Sequence, residues 1–141
     1  MASQPLERPL RVLVVDDESY NLDTFRRVFR RDFAMGFAGS GEEALDLLRQ
    51  GEYDVVVTDH AMPGITGVEL LTRVREAYPR LGRLMVTAHA ELPEVQESTE
   101  SGVSAAVVMK PWRKEDLLHW IRHAAKMRRA PSAEIESEPK T

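Results

Sequence analysis

Five side chains in this sequence have the types and the placing for chemistry on a phosphorylated or metal-bound group: Asp16, Asp17, Asp59, Thr87 and Lys110. Each stands at the end of an aliphatic run: "RVLVVD" leads into Asp16 and Asp17, "YDVVVTD" ends on Asp59, "RLMVTA" carries Thr87, and "SAAVVMK" ends on Lys110 before Pro111. Three carboxylates gathered in one place repel, and at least one protonates unless a cation is present. The donors are all oxygens, without histidine or thiolate, which suits a hard ion such as Mg²⁺ and not zinc. A fixed ammonium at Lys110 beside that ion is an arrangement for accepting a phosphoryl group, because such transfer rests on positioning and on neutralising charge at the equatorial oxygens.

Those residues can meet only if the runs that carry them lie side by side. Together with "FAMGFA", the four runs make five strand candidates, and they alternate with segments of helical period. That alternation predicts an α/β fold, a five-stranded parallel sheet doubly wound by helices as (βα)₅. In such sheets ligands bind beyond the carboxyl ends of the strands, where the five side chains stand. Leu22, Phe25, Val28 and Phe29 form an apolar stripe, as do Leu117, Leu118, Ile121 and Ala125 in the last helix, and both predict core-facing surfaces. Ser40 with Glu43, and Thr66 with Glu69, have the spacing of capping boxes. The segment "ELPEVQESTESG" has only Leu92 and Val95 for an apolar side and is expected to be the loosest helix.

Composition narrows the function further. The 141 residues, 43% hydrophobic, suffice for one domain with a real core. A net charge of −4 argues against a broad nucleic-acid surface, and zero cysteines exclude disulfides and thiolate metal sites. No apolar run approaches the roughly 18 residues of a membrane span. The chain reads as soluble and cytoplasmic, with an extension over residues 1–9, a domain over 10–129, and an acidic, proline-punctuated stretch over 130–141 expected to be a disordered tail or the start of a linker.

"VVDDE", "VVTDHAMPGITG", "MVTA" and "KPW", in this order and each at a strand end, together resemble the receiver domain of two-component response regulators. The resemblance implies the flavodoxin-like receiver fold. It also implies that Asp59 takes the phosphoryl group from a sensor histidine kinase or a histidine phosphotransfer protein. Asp17, Asp59 and the backbone carbonyl of Ala61 would hold Mg²⁺, with Asp16 supporting mainly through water. Thr87 would bond a phosphoryl oxygen, Lys110 would pair with the phosphate, and the Lys110–Pro111 peptide would be cis. Residues at the positions of Ala61 and His89 influence dephosphorylation in this family, which makes His89 the candidate for tuning the lifetime of the phosphorylated form. Trp112 after the proline is typical of receivers joined to phosphodiesterase or transcription-activating output domains.

Several positions keep a plainer reading. Asp16 or Asp17 singly serves as well to cap the next helix, and His60, which by its place after Asp59 could act as a base or tune access of the hydrolytic water, is at least as readily an exposed loop imidazole. Receivers commonly carry an aromatic residue three places before the lysine, where this chain has Val107, a core residue by type, so coupling would fall to Thr87 and the fourth helix. Trp120 shares a side of the last helix with Asp116, His123 and Met127, and either marks a partner or homodimer contact or is a partly covered surface tryptophan. A nucleotide or flavin binder would need a glycine-rich phosphate loop where the chain has "DDESYN". A magnesium-dependent phosphohydrolase would need a lid or substrate pocket that so short a chain does not display.

Overall fold

The computed structural model describes residues 8–129. The expected N-terminal extension is therefore seen only at Arg8 and Pro9, and the expected tail over 130–141 lies outside the described residues. Five strands and five helices alternate: β1 (Leu10–Val15), α1 (Ser19–Phe29), β2 (Phe33–Ala38), α2 (Gly41–Gln50), β3 (Val55–Thr58), α3 (Gly67–Ala77), β4 (Gly82–Thr87), α4 (Pro93–Glu100), β5 (Val107–Met109) and α5 (Lys114–Arg129). The strands form one parallel sheet in the order β2-β1-β3-β4-β5. This is the doubly wound fold that the alternation predicts. After β1 the chain moves outward to β2, then returns past β1 to β3, which leaves a crevice beyond the carboxyl ends of β1 and β3.

Both faces of the sheet are covered, so successive residues of a strand enter different cores. Val12 and Val14 pack with Phe25 and Phe29 of α1 and Leu117 and Ile121 of α5. Leu13 and Val15 pack on the other face with Ala44 and Leu48 of α2 and Leu70, Leu71 and Val74 of α3. This explains why "VLVV" reads as an unbroken apolar run rather than an alternating one. Each fully buried valine or leucine contributes about 1.5–3 kcal/mol relative to exposure. The two predicted capping boxes differ. Around Thr66 both reciprocal bonds form. At Ser40 the hydroxyl receives the Glu43 amide, but the Glu43 carboxylate turns to the amide of Gly39 instead. β5 is shorter than "SAAVVMK" suggested, because only Val107–Met109 pair with β4.

Candidate functional site

β1 and β3 are paired in register so that Val15 lies beside Thr58. The residues that follow, Asp16 and Asp59, emerge together at the same edge, and the amide of Asp59 donates to the carbonyl of Val15 at 3.1 Å. Carboxylate oxygens of Asp16, Asp17 and Asp59 lie within 4.8 Å of one another. Asp16 is buried, Asp59 half-buried and Asp17 exposed. From the far side, the Lys110 ammonium donates to Asp16 Oδ2 at 3.0 Å and to Asp59 Oδ2 at 3.1 Å. Burial presses the pKa of Lys110 down, but its hydrogen bond to Asp16 and the charges of Asp59 and Asp16 prevail and hold it above its usual value.

Lys110 arrives there because the segment after β5 is anchored. Its amide donates to the carbonyl of Thr87 at 3.0 Å, and the Lys110–Pro111 bond is cis. Trp112 then packs against the rings of Phe25 and Phe29, with centroids 6.0 and 5.6 Å away. The aromatic stripe of α1 thereby serves the site as well as the core. Thr87 is fully buried at the end of β4, and its hydroxyl oxygen accepts the amide of His89 at 3.1 Å. His89 itself is exposed, as is Ala61 in the loop after β3.

Neither member of the aspartate pair caps α1. The N-cap is Glu18, without a side-chain cap bond, while Asp16 accepts the Glu18 amide through Oδ1 and turns the chain. Asn21 completes that arrangement by donating to Asp16 Oδ2 at 3.1 Å. Asn21 belongs to no motif of the sequence, and its place in the first turn of α1, five residues after Asp16, is the one signal that points to it. Val107 is half-buried against the α2–α3 core, in keeping with its apolar type. Trp120 is half-buried on the edge of the α1–α5 core, edge-on to His119 and His123.

His60 corrects an expectation. Instead of an exposed loop imidazole it is 4% exposed, enclosed because α3 docks directly on the Asp59–His60 peptide. The Gly67 amide donates to the His60 carbonyl at 2.9 Å, and a Cβ at Gly67 would lie 2.2 Å from the Asp59 carbonyl oxygen. Only glycine permits that approach. The His60 amide in turn donates to Asp59 Oδ1 at 2.6 Å. Both oxygens of Asp59 are thus held, one by an amide and one by an ammonium. A carboxylate so oriented, beside surplus negative charge and at the open edge of the sheet, can take a hard cation and attack an electrophile placed opposite Lys110.

Comparison with known proteins shows what the chain and its fold are similar to. The hydrogenase transcriptional regulatory protein HoxA of Cupriavidus necator is 33% identical over 113 residues, 80% of this chain but 23% of that protein. The chain therefore spans about a quarter of that longer relative. Chemotaxis protein CheY of Pseudomonas aeruginosa is 40% identical over 118 residues, covering 77% of this chain and 90% of CheY. The signal receiver domain of an HD domain-containing protein from Pseudomonas fluorescens superposes with a TM-score of 0.81 at 26% identity, covering 87% of this chain and 99% of that one. Residues 12–122 match the response regulator receiver domain, and the chain belongs to that family.

Proposed function

We propose that Asp59 is the residue of this receiver that accepts the phosphoryl group, with Asp16, Asp17 and Lys110 as its electrostatic frame. Phosphoacceptance in two-component signalling is the function of the family, and receivers are phosphorylated by histidine kinases. The observation that carries the assignment to Asp59 is the Lys110 ammonium bridging Asp59 and Asp16 beside three clustered carboxylates.

Mg²⁺ fits the donor set, since among the described residues three carboxylates face the Lys110 ammonium and no histidine or thiolate joins the cluster. It would be held by Asp17 and Asp59 with the carbonyl of Ala61, with Asp16 supporting mainly through water, and it would supply charge neutralisation at the phosphoryl oxygens. The chain's own groups do the rest. Asp59 attacks phosphorus, forming a P–O bond as the P–N bond of the donor phosphohistidine breaks and its imidazole leaves with the electron pair. Lys110 stabilises the negative charge on the transferred group. Thr87 releases the His89 amide or shares its hydroxyl to bond a phosphoryl oxygen, and His89, exposed beside it, sets water access and hence the lifetime of the acyl phosphate. Hydrolysis of that acyl phosphate by the domain itself belongs to the same proposal.

The donor would be a sensor histidine kinase or a histidine phosphotransfer protein. The output is a downstream protein that prefers one state of the switch, in a cytoplasmic setting. Among the described residues no helix is long and apolar enough to cross a membrane. Incubation with Mg²⁺ and acetyl phosphate tests the assignment. One acid-stable, base-labile phosphate per chain is expected, absent from Asp59→Asn. Continuous turnover without a trapped phosphate would mark a phosphohydrolase instead.

A further inference from the structure

The ring of His60 is the part of the site that the acidic chemistry leaves unexplained. It is buried, and both of its nitrogens have partners. The Val68 amide donates to Nδ1 at 3.3 Å. A nitrogen that receives an N–H acts as an acceptor, which leaves Nε2 as the donor nitrogen of the ring. Nε2 faces Glu94 Oε2 at 3.3 Å, which makes Glu94 the acceptor. Glu94 stands in the first turn of α4, where the N-cap residue Leu92 offers no side-chain bond and the helix buries only Val95 and Ser98. One residue therefore touches Asp59 through its amide, α3 through its carbonyl and Nδ1, and α4 through Nε2.

We infer that His60 is a positioning residue that links Asp59 to α4 through Glu94, so that acquisition of a phosphoryl group at Asp59 is passed to the surface of α4 by the His60–Glu94 hydrogen bond. This rests on Asp59 being the phosphoacceptor. The amide at Asp59 Oδ1 belongs to a planar peptide. When Asp59 becomes an acyl phosphate, that amide follows a new set of acceptor oxygens and the plane tilts as a unit. The ring that it carries moves with it. At 3.3 Å the bond to Glu94 is already longer than an ordinary N–H···O bond, so it has little distance left before it is lost. A shift of a few tenths of an ångström, by about the width of the normal range, makes or breaks it. The two states of Asp59 then differ in a contact to α4, which is what a switch requires.

Amide hydrogen exchange of residues 93–100, with and without Mg²⁺ and beryllofluoride, tests this in the full chain. In the wild type, exchange of α4 is expected to change several-fold between the two states. Glu94→Ala should remove most of that difference while one phosphate per chain is still taken from acetyl phosphate. Glu94→Gln should restore it, because an amide oxygen accepts from the Nε2–H as a carboxylate oxygen does; a purely structural role for the charge would not be rescued. His60→Phe, which keeps the buried ring volume, should lose the same difference, and the double variant should lose no more than either single one. Full α4 response in Glu94→Ala, failure of Glu94→Gln to rescue, or additive losses in the double variant would each overturn the link while leaving phosphoacceptance intact. A wild type that takes no phosphate on Asp59 overturns both.

Discussion

β3 carries a carboxylate at each end, and the two are electrostatic opposites. At the amino end Asp54 is 4% exposed, accepts the Arg11 amide at 2.8 Å and meets the Arg8 guanidinium with both oxygens, at 3.0 and 3.3 Å. The Arg8 guanidinium faces this acid, and the Arg11 amide adds a backbone donor. At the carboxyl end Asp59 shares its surroundings with Asp16 and Asp17, and a single ammonium stands against three acids. The first acid is answered by a cation of the same chain. The second arrangement leaves surplus negative charge, which a cation from outside or protonation of one acid offsets. Burial of an acid is common to both, so burial does not distinguish a brace from a site; the balance of charge does.

The largest effect that separates the two ends is covalent. Asp59→Asn should take up no phosphate from acetyl phosphate, whereas Asp54→Asn should take up the full amount, as read on phosphate-affinity gels. Equal labelling of both variants would break the comparison. Next comes the ion itself. Mg²⁺ at a hundred times its Kd should raise wild-type stability by about 2.7 kcal/mol in thermal or urea unfolding. That increment should fall sharply in Asp17→Ala and persist in Asp54→Asn. Stability without Mg²⁺ should show the reverse pattern: Asp54→Asn loses about 2 kcal/mol, because the Arg8 and Arg11 donors are left with a poorer acceptor, while Asp17→Ala is neutral or stabilising, since a repelling charge has gone.

Two smaller effects sharpen the picture. The pKa of Lys110 is raised in the folded protein, so its contribution to stability is complete below the unfolded value of about 10.4 and is lost as pH rises through the higher folded value. Unfolding of the Mg²⁺-free protein between neutral and strongly alkaline pH should lose that increment in the wild type and not in Lys110→Met. Last, Arg8→Ala should cost no more than about 1 kcal/mol in urea unfolding, because the guanidinium side of the Asp54 pair is largely open to solvent.

Much of this site was legible in the residue order, and the reasons are local. A parallel strand buried on both faces must be apolar along its length, so its first acid marks its end. Asp16 and Asp59 could be placed at one edge on that ground, and Thr87 and Lys110 joined them as the polar residues that close the fourth and fifth apolar runs. Asn21 and His60 were harder to read. Asn21 acts on Asp16 only because the chain turns sharply at Glu18. His60 is buried only because Gly67 allows α3 to sit on its peptide, and no pattern within "TDHAMPG" announces that. Glu94 is 34 residues away in the chain, and it reaches His60 through the packing of α4. The half-formed box at Ser40 teaches the same lesson, since spacing permits the reciprocal bond but the loop at Gly39 takes it.

By itself the sequence determined the strands, the two helical stripes, the order of elements and the acids, hydroxyl and amine at their ends. It did so because hydrophobic period and strand termination are properties of neighbouring residues. Only the tertiary structure decided that Lys110 stands between Asp16 and Asp59, that Asp54 is answered by Arg8, and that His60 joins Asp59 to α4. Those are relations between distant segments, and hydrogen bonds depend on distances of a few tenths of an ångström that packing sets.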